Sequence, residues 1–202
     1  MSESDAYEVV GSETKFKGSL LSVRVDDVRM SDGAVVQREV VAHPGAVAIV
    51  ALDDDGNIIL INQYRVPLGA QLDELPAGLL DVDGESALAA AQRELAEEAR
   101  LVADEWAVLV DLHSSPGMTT EAIRVFLARD LSAAEGDFAP EHEEQTLTVS
   151  REPLPDAVRR VLSGGITNAT AVAGILAAVH GRATAWRDLR PADAPWPARP
   201  GR

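Results

Sequence analysis

The stretch ELPAGLLDVDGESALAAAQRELAEEARL, residues 74–101, decides the fold. Its second half reads as a helix over 86–99. Leu88, Ala91, Leu95 and Ala99 recur at three- and four-residue steps, and Ser86 is placed as an N-cap. The same helix carries Glu94, Glu97 and Glu98 with no lysine nearby. Successive helical residues step by about 100°, so Glu94 and Glu98 stand nearly above one another with Glu97 at their flank. They lie beside the Leu95 stripe, at the margin of the core. Like charges four residues apart cost a helix roughly 0.2–0.5 kcal/mol unless something neutralises them. Arg93 is spaced to pair with Glu97, and Glu85 at the helix start suits the macrodipole. An ordinary glutamate cluster is a solvated face. Here the Gly-containing loop LPAGLLDVDGE enters the helix directly, bringing backbone carbonyls to the same spot, and the whole reads as an oxygen-rich cage for Mg²⁺.

Composition narrows the chemistry. The 202 residues are 46% hydrophobic and 25% charged, suited to one sizeable domain or one domain with a small appendage. There are no cysteines, and the four histidines show no His-x-x-x-His spacing. Disulfides, thiolate sites and cysteine nucleophiles are excluded, and any metal is expected on oxygen ligands: Mg²⁺, Mn²⁺ or Ca²⁺ rather than Zn²⁺. A net charge of −15 and a pI near 4.6 argue against nucleic-acid backbones and anionic membranes as partners. No apolar run has the length of a membrane span, and the acidic start MSESDAYEVV is no signal peptide. A soluble, cytoplasmic protein is expected.

Outward from the helix, residues 1–42 are strand-like. SLLSVRVDDVRM and AVVQREVVAH flank the turn signal SDG at 31–33. Apolar strands follow at 46–52 and 58–64 around the turn DDDGN, reading as buried on both faces. Strands are expected near 106–113 and 122–129, joined by the loop SSPGMTTE. An acidic loop occupies 132–146. A last strand, TLTVSREPL, precedes two helices, PDAVRRVLSGG and TNATAVAGILAAVHG, the latter capped by Thr167 or Asn168. The Pro-rich tail is expected to lie loosely or be disordered. This order gives an α/β (α+β) architecture with mixed sheets between helices. It is not a Rossmann alternation, and no GxGxxG is present. The expected divisions are an N-terminal β-sheet region at 1–42, a main domain at 43–181 and a tail at 182–202.

The stretch resembles the Nudix box, G-x5-E-x7-R-E-U-x-E-E-x-G-U with U apolar. Glu85 matches its first glutamate, RELAEE (93–98) its core and Leu101 its last apolar position. Two positions depart. Gly78 stands one residue too far upstream, which suggests a bulge at Asp83-Gly84. Arg100 stands where the pattern has the glycine that adopts positive φ cheaply. The resemblance implies a Nudix α/β/α sandwich with a mixed β-sheet, preceded by a small antiparallel sheet exchanged in a homodimer. It also implies hydrolysis of a nucleoside diphosphate linked to another group. Glu94 and Glu98 would be metal ligands, Glu97 a ligand, a bridge or a catalytic group, and the Ala77 carbonyl would complete the cage for Mg²⁺, with Mn²⁺ as substitute. Glu85 and Arg93 would orient helix and loop.

Within the family, further pieces resemble the ADP-ribose pyrophosphatases. Pro116 lies 16 residues beyond the box glycine position, in a setting like their S-P-G-x-[ST]-x-E loop. Ser115, Pro116, Gly117 and Leu79 would then contact substrate, although Ser-Pro-Gly is also a common turn. INQYRVP marks Arg65 and VVQREVVAHPGAV marks Arg38 as substrate arginines, each otherwise a surface residue. Phe16 is weighed as an adenine-stacking or core aromatic. In the acidic loop, Glu143 aligns best as general base, with Glu141 and Glu144 as neighbours and His142 a lesser choice. The implied activity is Mg²⁺-dependent hydrolysis of ADP-ribose to AMP and ribose 5-phosphate. The alternatives are another nucleotide sugar, such as a GDP-sugar, or a non-catalytic nucleotide sensor.

Overall fold

A computed structural model describes residues 7–136 and 146–200. The strand-like N-terminal region folds as three antiparallel strands, β1 (Glu8–Lys17), β2 (Ser22–Arg29) and β3 (Val35–Ala42), in the order β1-β2-β3. The Ser31-Asp32-Gly33 turn joins β2 to β3. It is closed by Gly33 N–H donating to the Met30 carbonyl at 2.9 Å and by Ala34 N–H donating to Asp32 Oδ1 at 3.0 Å. One strand more than the sequence suggested is present, because β1 is exposed along nearly its whole length and shows no buried alternation. Asp26 is buried in this sheet. It accepts hydrogen bonds from Ser12 (2.6 Å) and Arg24, and those bonds, Ser12's first, hold its carboxyl below the usual value. The sheet belongs to the first of two compact units, formed from the described parts of Met1–Gly45, His113–Ala122 and Ala198–Arg202.

The second unit takes Ala46–Leu112 and Ile123–Pro197. It begins with β4 (Ala46–Ala51) and β5 (Asn57–Arg65), whose apolar runs Val47–Ala51 and Ile58–Ile61 are buried throughout. A single 3-10 turn, Val66–Leu68, leads into β6 (Ala70–Glu74) and β7 (Ala77–Leu79), followed by α1 (Ala87–Ala99). Then come β8 (Leu101–His113), β9 (Ala122–Ala133), β10 (Thr148–Pro153), α2 (Leu154–Leu162), α3 (Ala169–Ala183) and β11 (Arg190–Pro191). Asn168 is the cap of α3, its side chain accepting from Ala171 N–H at 2.9 Å.

Two sheets form this unit. One is antiparallel in the order β10-β5-β6. The other is mixed, in the order β11-β8-β9-β4-β7, with β4 parallel to β9 and antiparallel to β7. Helix α1 packs on β4 and β7, and α3 packs on β4, β6 and α2, so helices cover the sheets of an α/β sandwich. The core runs through Val50, Leu60, Leu75, Val125, Leu154 and Ile175. Among the described residues no helix is long and apolar enough to cross a membrane.

The described tail is not loose. β11 pairs with β8, and Trp196 is only 4% exposed. The buried guanidinium of Arg124 donates to Asp111 at 2.8 and 3.1 Å and to the carbonyls of Ala194 (2.7 Å) and Pro195 (3.2 Å), and it lies 4.8 Å from the Trp196 ring centre. Arg190 donates to the same carboxylate at 2.7 Å. Burial alone would raise the Asp111 carboxyl, but the bonds from Arg124 and Arg190 outweigh it and hold the group below its ordinary value. A lowered folded-state value means that this stabilisation is present at neutral pH and is lost as pH falls below the ordinary carboxylate value of 3.8. Arg124→Leu strips Asp111 of its fork and the tail of its anchor. It is expected to cost about 3 kcal/mol, the scale of breaking a buried pair. Urea unfolding checks this through a lower midpoint at unchanged slope.

Candidate functional site

Helix α1 begins as its sequence asks. Ser86 is extended (φ −75°, ψ 155°), and its hydroxyl accepts from Ala89 N–H at 3.0 Å. Upstream, the Asp83-Gly84 turn is closed by Glu85 N–H donating to the Val82 carbonyl at 3.2 Å, with Gly84 at φ +80°. Downstream, Arg100 takes the left-handed conformation (φ 58°, ψ 37°) that ends the helix, and its N–H donates to the Ala96 carbonyl at 3.2 Å. The arginine thus adopts the backbone a glycine would have taken at no steric cost.

Arg93 answers the question posed by the clustered glutamates. Its Nε and Nη2 donate to the two oxygens of Glu85 at 3.1 and 3.2 Å. Its Nη1 donates to Glu94 Oε1 at 2.8 Å and to Glu97 Oε2 at 2.9 Å. One planar cation thus serves three carboxylates from the loop end and the helix. These hydrogen bonds, Glu85's first, together with the attraction of Glu94, raise the guanidinium above its already high value. Glu98 turns elsewhere, accepting the Ala77 N–H at 2.8 Å. That amide lies on β7, opposite Ala48 of β4, and the neighbouring Pro76 carbonyl accepts Ile49 N–H at 2.8 Å. Helix, loop and sheet are therefore joined at the segment PAG.

Gly78 has a steric role that spacing alone did not reveal. A Cβ built there would occupy the space of the Glu94 carboxyl group. Glu94 is buried beside Leu95 because this glycine makes room for it. The signal was present in the sequence as a loop glycine before a glutamate-bearing helix. The partner atom was not.

Among the described residues no three Asp, Glu or His side chains converge into a closed cation cage. Their oxygens go to Arg93 and to the Ala77 amide instead. The donor set nevertheless fits a hard divalent ion. Glu94, Glu97 and Glu98 supply only carboxylate oxygen, from one margin of one helix, and one of them is seated against a glycine.

The remaining candidates are distributed. Leu79 ends β7 opposite Ala46. Arg65 ends β5, and its Nε and Nη2 donate to both oxygens of the buried Glu74 at 2.8 and 2.7 Å. Glu74 went unassigned in the sequence, although it opens the quoted stretch. Arg38 belongs to the first unit, is exposed on β3 and donates to its neighbour Gln37's carbonyl at 2.9 Å. Phe16 is 56% exposed, which sets aside the core reading for it. Ser115, Pro116 and Gly117 also lie in the first unit, exposed in a turn whose Ser115 carbonyl accepts from Met118 and Thr119, each at 3.0 Å. Glu141, His142, Glu143 and Glu144 lie outside the described residues.

Comparison with known proteins adds identity to this geometry. Residues 42–165 match the NUDIX domain, and residues 7–41 match the nucleoside diphosphate sugar hydrolase N-terminal domain. The chain is 49% identical to an ADP-ribose pyrophosphatase of Mycobacterium tuberculosis, over 99% of this chain and 95% of that protein. It is 36% identical to an ADP-ribose pyrophosphatase of Bacillus subtilis, over 80% of this chain and 86% of the other. A crystal structure of an ADP compounds hydrolase superposes with a TM-score of 0.75 at 28% identity, covering 90% of this chain and 96% of that one.

Gly78→Ala is expected to expel the Glu94 carboxylate from its seat. The change should lower stability by about 1–3 kcal/mol, as overpacking does, and turnover should fall with it. A Gly78→Ala variant with wild-type melting temperature and wild-type turnover would show that the seat is not needed. Arg93→Ala leaves Glu85, Glu94 and Glu97 facing one another and is expected to cost about 2 kcal/mol. Added Mg²⁺ should raise the melting temperature of this variant more than that of wild type, since a second cation then meets the same oxygens.

Proposed function

The chain belongs to the Nudix hydrolase family, and from that premise we propose that it hydrolyses the diphosphate of ADP-ribose to AMP and ribose 5-phosphate. The observation that carries this reading is an intact row of box glutamates in a chain matched almost end to end with an ADP-ribose pyrophosphatase. The ion assigned is Mg²⁺, with Mn²⁺ able to substitute. Glu94 and Glu98 would hold it, with Glu97 as a further ligand or a bridge and the Ala77 carbonyl beside them. When bound, such an ion neutralises phosphate oxygens and lowers the pKa of coordinated water. A chain of net charge −15 otherwise repels an anionic substrate.

The protein's own groups do the rest. Glu143, or its neighbour Glu141, takes the proton of the attacking water; a carboxylate within reach of that water needs no strongly raised pKa. Arg65 is assigned to phosphate, its guanidinium oriented by Glu74 through Nε and Nη2. Arg38 is assigned to adenine, and Leu79 and the Ser115–Gly117 turn to the terminal ribose. The protein is read as a cytoplasmic homodimer. Support comes from the first unit's sheet, where the apolar side chains of Val9, Phe16 and Val35 are 58%, 56% and 54% exposed and would be covered by a second copy.

Parallel incubation with ADP-ribose and GDP-mannose in Mg²⁺, followed by chromatography of the nucleotides, tests the substrate. AMP should appear first. Faster release of GMP favours a different sugar nucleotide, and tight binding without phosphomonoester favours a sensor. Glu98→Gln retains an oxygen for the Ala77 N–H and so should fold. It is expected to lower kcat by about 10²–10³-fold, the scale of one lost charge contact in the transition state. Undiminished turnover in this variant would overturn the metal assignment.

A further inference from the structure

We propose that His43 is a positioning residue for the loop bearing Ser115, Pro116 and Gly117. It latches that loop to the end of β3 and thereby sets affinity for the sugar-phosphate half of the substrate without touching it. The inference rests on the reading above that this turn faces the terminal ribose.

The loop joins β8 to β9, yet its hydrogen bonds run to the N-terminal sheet. Val41 N–H donates to the Met118 carbonyl at 2.8 Å, and Thr120 N–H donates to the Val41 carbonyl at 3.0 Å. Just beyond β3, His43 adds three further ties. Its N–H donates to Thr120 Oγ1 at 3.0 Å, and its carbonyl accepts from the same hydroxyl at 3.3 Å. Its ring Nδ1 accepts Gly45 N–H at 3.1 Å, which holds the His43-Pro44-Gly45 turn, with Gly45 at φ +89°. The imidazole is mostly buried and stands 3.7 Å from Glu121 Oε1. The other oxygen of Glu121 accepts the Ser114 hydroxyl, so this one carboxylate also ties the two ends of the loop together. Glu121 N–H donates to Thr119 Oγ1 at 3.1 Å. The Ser115–Gly117 turn projects from this latch exposed. A turn so held keeps its backbone groups in one arrangement, which lowers the ordering cost of binding.

Removing the ring frees Gly45 N–H and loosens the turn beneath Thr120. His43→Ala should raise KM for ADP-ribose about 5–20-fold while kcat stays within about 3-fold, as expected when uniform binding is lost. The two products separate the halves of the site. Inhibition by ribose 5-phosphate should weaken in the variant, and inhibition by AMP should not. His43→Asn should restore KM, because an asparagine oxygen reaches the N–H two residues on as an Asx turn. Faster amide exchange at Val41 and Thr120 in His43→Ala is the direct structural readout. Should that variant fail to fold, Thr120→Val, which deletes the shared hydroxyl at equal volume, is expected to give the same split. Equal weakening of both products, or unchanged kinetics in a folded variant, overturns the latch. Wild-type protein that leaves ADP-ribose intact overturns the substrate reading, and the latch with it.

Discussion

Everything at the centre of this protein turns on how one guanidinium is shared. Glu85, Glu94 and Glu97 would repel one another in a chain already carrying a net charge of −15, and Arg93 meets all three at 2.8–3.2 Å. The pairing is partly shielded from water, where such bonds are worth more than on an open surface. It also links two elements, because Glu85 ends the loop while the other partners ride on the helix. Gly78 completes the arrangement by leaving room for a carboxylate where any other residue would place a carbon.

The scaffold beneath is built to keep that arrangement still. β4 is buried along its length, pairs with β9 on one side and β7 on the other, and receives α1 on its face. The segment Pro76–Gly78 is therefore bonded both to the sheet, through Ile49, and to the helix, through Glu98. On β9 the Arg124–Asp111 pair draws in the tail, so residues 190–196 help cover the sheet that supports the site.

Local signals were readable where local physics decides. The Ser86 cap, the Leu95 stripe and the apolar runs of β4 and β5 all follow from neighbours within a few residues, whereas Asp83-Gly84 and Arg100 stand out only through the box pattern. What escaped depends on partners far along the chain. Arg124 meets Ala194 and Trp196 some 70 residues away, and no periodicity announces such a clasp. Glu74 looked like one more acidic residue until Arg65 closed on it across the β5–β6 pair. β6 and β7 are too short for a two-residue alternation to register. The Ala77 carbonyl was the expected contributor at its position, whereas its N–H makes the contact with Glu98.

The stitching of residues 118–120 to Val41 bears on how such proteins can be recombined. An exchange of N-terminal regions between relatives, cut at the natural boundary near Gly45, would carry β3 away from the segment it hydrogen-bonds and leave both ends mismatched. A chimera that also transfers residues 113–122 keeps the two together. The loop at 113–122 and the N-terminal sheet would thus be inherited as one piece, although 70 residues of chain lie between them.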